Sequence, residues 1–134
     1  MHSKEISVSA RYSGMAEMLS WLAAAAVEAG LDPLHSHRVQ LVVEELFANT
    51  LMHGFAGEDD SLIRLALITG AHGIRLIYSD AAPPFDPTRA PGREYDIERP
   101  GGFGLNVIRS VASALAYAYR DGRNEIVLDF NLHP

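Results

Sequence analysis

Along residues 4–10 the chain reads KEISVSA, with polar and apolar positions alternating at the period of a half-buried strand. A Ser13-Gly14 turn follows. Residues 15–29 are mostly Ala, Leu, Met and Glu, which predicts a helix closed by Gly30 at its C-cap. Asp32-Pro33 supplies an N-cap with proline at the first helical position. A second helix is therefore predicted to run to about His53, stopped by Gly54 or Gly57. After the turn GEDDS, residues 62–69 and 73–79 are two β-rich runs separated by Gly70-Ala71-His72, a hairpin signal. Residues 81–102 hold five of the seven prolines and three glycines, and a long irregular segment of this kind in a compact domain is usually functional. Helical spacing returns over residues 103–113, with Leu105, Val107, Ile108, Val111 and Ala112 apolar. Two strand patterns, 115–120 and 124–132, joined by Asp121-Gly122-Arg123, close the chain. The order β-α-α-β-β-loop-α-β-β predicts an α+β fold: a two-layer sandwich with a mixed, mostly antiparallel sheet and the helices on one face.

The second helix is unexpectedly polar near its end, where residues 44–55 read EELFANTLMHGF. At about 100° per residue, Val39, Val42, Val43, Leu46 and Thr50 share one arc, the core face. Glu45 and Asn49 lie at one edge of that arc, about 40° apart, and Glu44 projects roughly 100° away from Glu45. His53 falls near the same edge one turn on, so Glu45, Asn49 and His53 form a stripe along the border of the buried face. One reading is a solvated helix edge, with His53 at a C-terminus that favours cations. The other is the wall of a pocket, where a carboxylate and a carboxamide one turn apart hold a water and a hard cation side by side.

Composition narrows the chemistry. The chain has 134 residues, enough for one domain, predicted to span 1–134. Its apolar (48%) and charged (21%) fractions are those of an ordinary globular protein. There is no cysteine, which excludes disulfides and thiolate metal sites. The N-terminus has no apolar stretch of signal-peptide length, and no apolar run is long enough to span a bilayer, so a cytoplasmic location is expected. A net charge of −6 without a Lys/Arg cluster argues against nucleic acid as a partner. It would also repel a nucleotide, so a nucleotide site here needs a cation and helix N-terminal amides.

Two further stretches carry candidate chemistry. In YSDAAPPFDP, residues 78–87, Asp80 ends an apolar strand at a turn. It either caps its own turn or serves as a buried acceptor for an amino group such as the exocyclic amine of adenine. In RPGGFGLN, residues 99–106, three glycines in four positions precede an apolar-periodic helix. They let backbone approach a ligand, and the helix start offers free amides to an anion. The stretch is neither a dinucleotide fingerprint, since it follows a loop rather than a strand, nor a Walker loop, since no Lys-Ser/Thr follows.

Together, in this order, the three stretches resemble the GHKL ATPase superfamily, whose domain is the Bergerat fold. Within it the chain looks most like the stand-alone anti-sigma-factor serine/threonine kinases. EELFANTLMHGF resembles their N box, SDAAPPFDP their first glycine box and GGFGLNVIRSVAS their second. The resemblance implies Glu45 as general base, Asn49 as the ligand of Mg²⁺ bridging the ATP phosphates, and His53 near the phosphate end. It implies Asp80 as acceptor for the adenine amine, with Gly101, Gly102, Phe103, Gly104 and Leu105 wrapping the phosphates and residues 86–100 forming a lid. Arg89, Arg93 and Arg99 sit in or near that lid, where any of them could meet phosphate or a protein. One departure stands out: the family's D-x-G is here Asp80-Ala81-Ala82, so Ala82 carries a methyl where backbone should pass close to adenine. The implied cofactors are ATP and Mg²⁺. The implied partners are a sigma factor and an anti-anti-sigma-like antagonist that is phosphorylated on serine, and homodimerisation is implied as well. Two other functions fit the same motifs: a non-catalytic ATP-binding interaction module, and a histidine-kinase-type ATPase domain acting in trans.

Overall fold

The computed structural model describes residues 2–86, 108 and 111–131. Strand β1 (His2–Ala10) leads into helices α1 (Tyr12–Glu28) and α2 (Pro33–Asn49), and a π-helical turn (Thr50–Gly54) extends α2. Then come β2 (Asp59–Thr69), β3 (Gly73–Asp80), β4 (Ala114–Arg120) and β5 (Arg123–Asn131). The strands form one sheet in the order β1-β2-β3-β5-β4. Every neighbouring pair is antiparallel, so the sheet is antiparallel throughout the described strands rather than mixed. The expected helix over residues 103–113 falls largely outside the described residues. Ile108 is buried in the core, and the Ala112 N–H reaches its carbonyl at 3.0 Å, the bond of one helical turn.

Local signals explain most boundaries. Asp32 caps α2 as its type predicts: Oδ1 accepts the His35 N–H at 2.8 Å, with Pro33 at the first helical position. Helix α1 ends in a left-handed Gly30 (φ 80°), whose N–H bonds the Val27 carbonyl while Leu31 N–H reaches back to Ala26. At its start, α1 has no side-chain cap of its own; Glu58, from the loop before β2, accepts the Tyr12 N–H at 2.9 Å. The β4–β5 hairpin turns on Asp121 (φ 55°) and Gly122 (φ 75°), both left-handed, which matches the twist of the flanking strands.

Strand register puts the core on one side. Val8 lies opposite Ile63, Leu67 opposite Leu76, Leu76 opposite Leu128, and Tyr78 opposite Ile126, all buried. Against this face pack Met18 and Leu22 of α1 and Val39, Val42, Val43, Leu46 and Phe47 of α2. The other face carries exposed ion pairs such as Arg75 with Asp129, joined by two hydrogen bonds of 2.7 and 3.0 Å. This is the two-layer sandwich that the element order implies. No helix among the described residues is long and apolar enough to cross a membrane.

The contact of α1 with β1 depends on one glycine. A Cβ on Gly14 would come within 2.0 Å of the Ser9 carbonyl oxygen, which is backbone and cannot swing aside. Gly14→Ala must therefore lift α1 off β1, and an overpacking cost of about 1–3 kcal/mol is expected. A lowered urea midpoint with an unchanged m-value would register it.

Candidate functional site

The seat of α2 on the sheet brings its last turn over the C-terminal end of β3. There α2 passes into the π-helical turn, where the Phe55 N–H bonds the Thr50 carbonyl at 2.9 Å, five residues back. The pattern had predicted an uninterrupted helix to His53. Thr50 opens the turn: its N–H still reaches the Leu46 carbonyl, and its hydroxyl lies 3.0 Å from that same oxygen, with Tyr78 and Asp80 also within reach. Wider turns of this kind are found disproportionately at functional sites.

Beneath the turn lies a buried polar chain. Tyr78 Oη is 2.6 Å from Thr50 Oγ1, and Thr50 Oγ1 is 2.8 Å from Asp80 Oδ2. Each hydroxyl has one proton to give, and an ionised carboxylate can only accept. The protons therefore run one way: Tyr78 donates to Thr50, and Thr50 donates to Asp80. Burial drives the Tyr78 phenol well above its ordinary pKa, so it keeps its proton and stays a donor.

The other carboxylate oxygen of Asp80 is fully used. Oδ1 accepts the Ala82 N–H at 3.1 Å and the Asn124 amide at 2.9 Å. Oδ2 receives only Thr50 among the described residues, so one acceptor position remains on a carboxylate that is 6% exposed. Asp80 thus caps its own turn and keeps capacity for a ligand; the two readings of this residue are compatible.

Asp80 opens into a cleft that Asn49, His53, Ala82, Phe85 and Asn124 also line, with Leu46 and Ile126 as apolar walls. Asn49 and His53 therefore face a hollow rather than bulk solvent alone. The Asn49 carboxamide is half-buried and engages none of the described residues. Glu45, one turn earlier on α2, is half-buried beside the cleft and not part of its wall among the described residues. Partial burial, and then the neighbouring Glu44, raise its carboxyl pKa above the usual value.

The methyl of Ala82 has a specific place. A Cβ built on Gly54 would stand 2.8 Å from the Ala82 Cβ, so the absence of a side chain at 54 makes room for the one at 82. The extra carbon is absorbed by the π-helical turn. Gly101, Gly102, Phe103, Gly104 and Leu105, and residues 87–100 of the expected lid, lie outside the described residues.

Sequence reasoning had not singled out Tyr78 or Asn124, and it gave Gly54 only a helix stop and Thr50 only a core position. Asn124 had no signal at all: it stands 44 residues from Asp80 and meets it only because β5 pairs with β3. Thr50 and Tyr78 carried a weak one, as hydroxyls at otherwise apolar core-facing positions.

Comparison with known proteins agrees with this geometry. The chain is 29% identical over 134 residues to the serine/threonine-protein kinase BtrW of Bordetella bronchiseptica (strain ATCC BAA-588 / NCTC 13252 / RB50), covering 97% of this chain and 93% of that protein. The model of the histidine kinase-like ATPase domain matches residues 8–130, from within β1 to within β5. With the antiparallel sheet, the overlying helices and the Asp80 cleft in place, the chain belongs to the histidine kinase-like ATPase domain family, the GHKL type.

Proposed function

We propose that this ATPase domain is a serine/threonine protein kinase of the anti-sigma-factor type, which phosphorylates an anti-anti-sigma-like protein on serine and regulates transcription by sequestering a sigma factor. The observation that carries the nucleotide part is Asp80, a buried carboxylate held by three donors with one acceptor position left at a cleft. That is the complement of the amine of adenine. The serine/threonine part is supported by the likeness to BtrW and by Glu45, whose carboxylate partial burial makes a stronger base than an exposed one.

Asn49 fits Mg²⁺ in its donor type. Its amide oxygen is a hard ligand at the cleft, uncommitted among the described residues. No group of three or more His, Cys, Asp or Glu among the described residues could hold a metal alone. A cation here would therefore lean on phosphate oxygens and water, as Mg²⁺ commonly does. When bound, it would offset phosphate charge in a chain whose net charge is −6. The glycine-rich residues 101–105 would supply backbone amides to the same phosphates.

In the transfer, Glu45 accepts the proton of the attacking serine hydroxyl. The serine oxygen bonds to the γ-phosphorus, the bond to the bridging oxygen breaks, and ADP leaves. Incubation with γ-labelled ATP, Mg²⁺ and a candidate antagonist should give an acid-stable label on serine. An acid-labile label would assign histidine-kinase chemistry instead, and partner binding indifferent to ATP with no label would assign a non-catalytic module. A second measurement addresses the metal: Mg·ATP at 100 times its Kd should stabilise the fold by about 2.7 kcal/mol. Asn49→Ala should remove most of the corresponding rise in Tm, and an undiminished rise would take Asn49 out of the site.

A further inference from the structure

Asn124 makes the densest set of hydrogen bonds in the described structure. It is 5% exposed, near the start of β5, and its Nδ2 stands 2.9 Å from Asp80 Oδ1, 3.0 Å from the Ala82 carbonyl and 3.1 Å from the Pro83 carbonyl. Its Oδ1 accepts the Phe85 N–H at 3.0 Å and the Tyr117 hydroxyl. One side chain thus ties the acid that ends β3 to three of the five residues that follow it, Ala82, Pro83 and Phe85, and to β4 on the far side. Residues 82–85 belong to no helix or strand, so their backbone groups have no ladder to hold them. Three of those groups are held by this carboxamide instead.

From this geometry we infer that Asn124 is a positioning residue for base recognition: it fixes the carboxylate plane of Asp80 and the width of the cleft at Ala82 and Phe85. By saturating Oδ1 together with the Ala82 N–H, it leaves Oδ2 as the acceptor facing a ligand. A purine with an amino group at C6 donates to that oxygen, whereas one with a C6 oxo group sets two acceptors against each other. Asn124 thereby favours 6-amino over 6-oxo purines without touching either. The inference rests on the adenine-nucleotide reading of the cleft.

Two variants separate positioning from folding. Asn124→Ala removes all five hydrogen bonds. Asn124→Asp keeps the shape and the acceptor Oδ1, and replaces the donor with an oxygen facing Asp80 and two carbonyls. Calorimetry with ATP and ITP, in Mg²⁺, reads the affinity and the preference; a urea titration reads stability. Ile74→Ala, a core change at the opposite end of β3, supplies a comparison of lowered stability away from the cleft. The wild-type chain should favour ATP. Both Asn124 variants should bind ATP at least tenfold more weakly and lose most of the ATP-over-ITP preference. Ile74→Ala should keep the preference although its urea midpoint falls. An unchanged preference in both Asn124 variants would overturn the inference, as would an equal loss in Ile74→Ala. A wild-type chain that binds neither nucleotide would instead remove the adenine reading beneath it.

Discussion

Glu45→Gln is expected to lower the rate of phosphoryl transfer by about 10²–10⁴-fold, the usual contribution of a positioned general base. ATP affinity should be unchanged within about threefold, because Glu45 is not part of the cleft wall among the described residues. The side chain keeps its size, so packing is conserved. Stability follows from the sign of the pKa shift. Burial raises the folded-state pKa of Glu45 above its unfolded value. The folded protein then binds the proton more tightly, so Glu45 opposes folding once pH rises through that raised pKa, and the opposition disappears below the ordinary carboxyl pKa. A neutral glutamine removes it, and Tm at neutral pH should be equal or higher. The same shift predicts that kcat falls on acidification at a higher pH than an unperturbed carboxyl would give. Single-turnover rates across the acidic range, calorimetric ATP titrations and melting curves of both proteins check these points. Transfer persisting at the wild-type rate in the glutamine variant would end Glu45's assignment as the base.

Asp80→Asn should weaken recognition of the adenine nucleotide while leaving the fold in place. The three donors around Asp80 allow one good arrangement for an asparagine. Its oxygen takes the place of Oδ1, receiving Ala82 N–H and Asn124, and its amide takes the place of Oδ2. Thr50 can then accept from that amide and turn its own proton to the Leu46 carbonyl 3.0 Å away. Nothing buried is left unpaired, so the stability change should stay within about 1.5 kcal/mol, the scale of one net hydrogen bond. At the cleft, however, an acceptor has become a donor facing the base amine. Two opposed donors, one partner left without its bond, cost about 1–3 kcal/mol, and a loss of about 5- to 150-fold in ATP affinity is expected. ITP, with an oxo group at the same place, should bind the variant better than it binds the parent. Competition between the two nucleotides is the measurement. Unaltered ATP binding would show that Asp80 does not read the base. Asp80→Ala is a different experiment, because it strands Thr50, Asn124 and the Ala82 N–H and so should unfold more readily.

The two-layer arrangement was legible because each of its causes is local. Alternation in KEISVSA, the Asp32-Pro33 helix start, Gly30 past the end of α1 and Asp121-Gly122 in the last hairpin act over a few residues, and each is found where its type demands. Thr50 shows where such reasoning stops. Its place on the core face was right, but the partners of its hydroxyl, Tyr78 and Asp80, lie 28 and 30 residues away. Ala82 stood out in the sequence as a methyl in place of the usual glycine; that methyl meets the space left by Gly54, a pairing that no spacing rule encodes.

From sequence alone came the element order, the core face of α2, the antiparallel hairpins and the placing of Glu45, Asn49 and His53 along one helix border. Those follow from periodicity and turn chemistry, which a single segment carries within itself. Only the tertiary structure decided that Asp80 would be held from three directions, by Thr50 above, Ala82 beside it and Asn124 across the sheet. The physical reason is that a hydrogen bond between segments depends on strand register and on where a helix rests. Both are settled by the packing of the whole core rather than by the residues that make the bond.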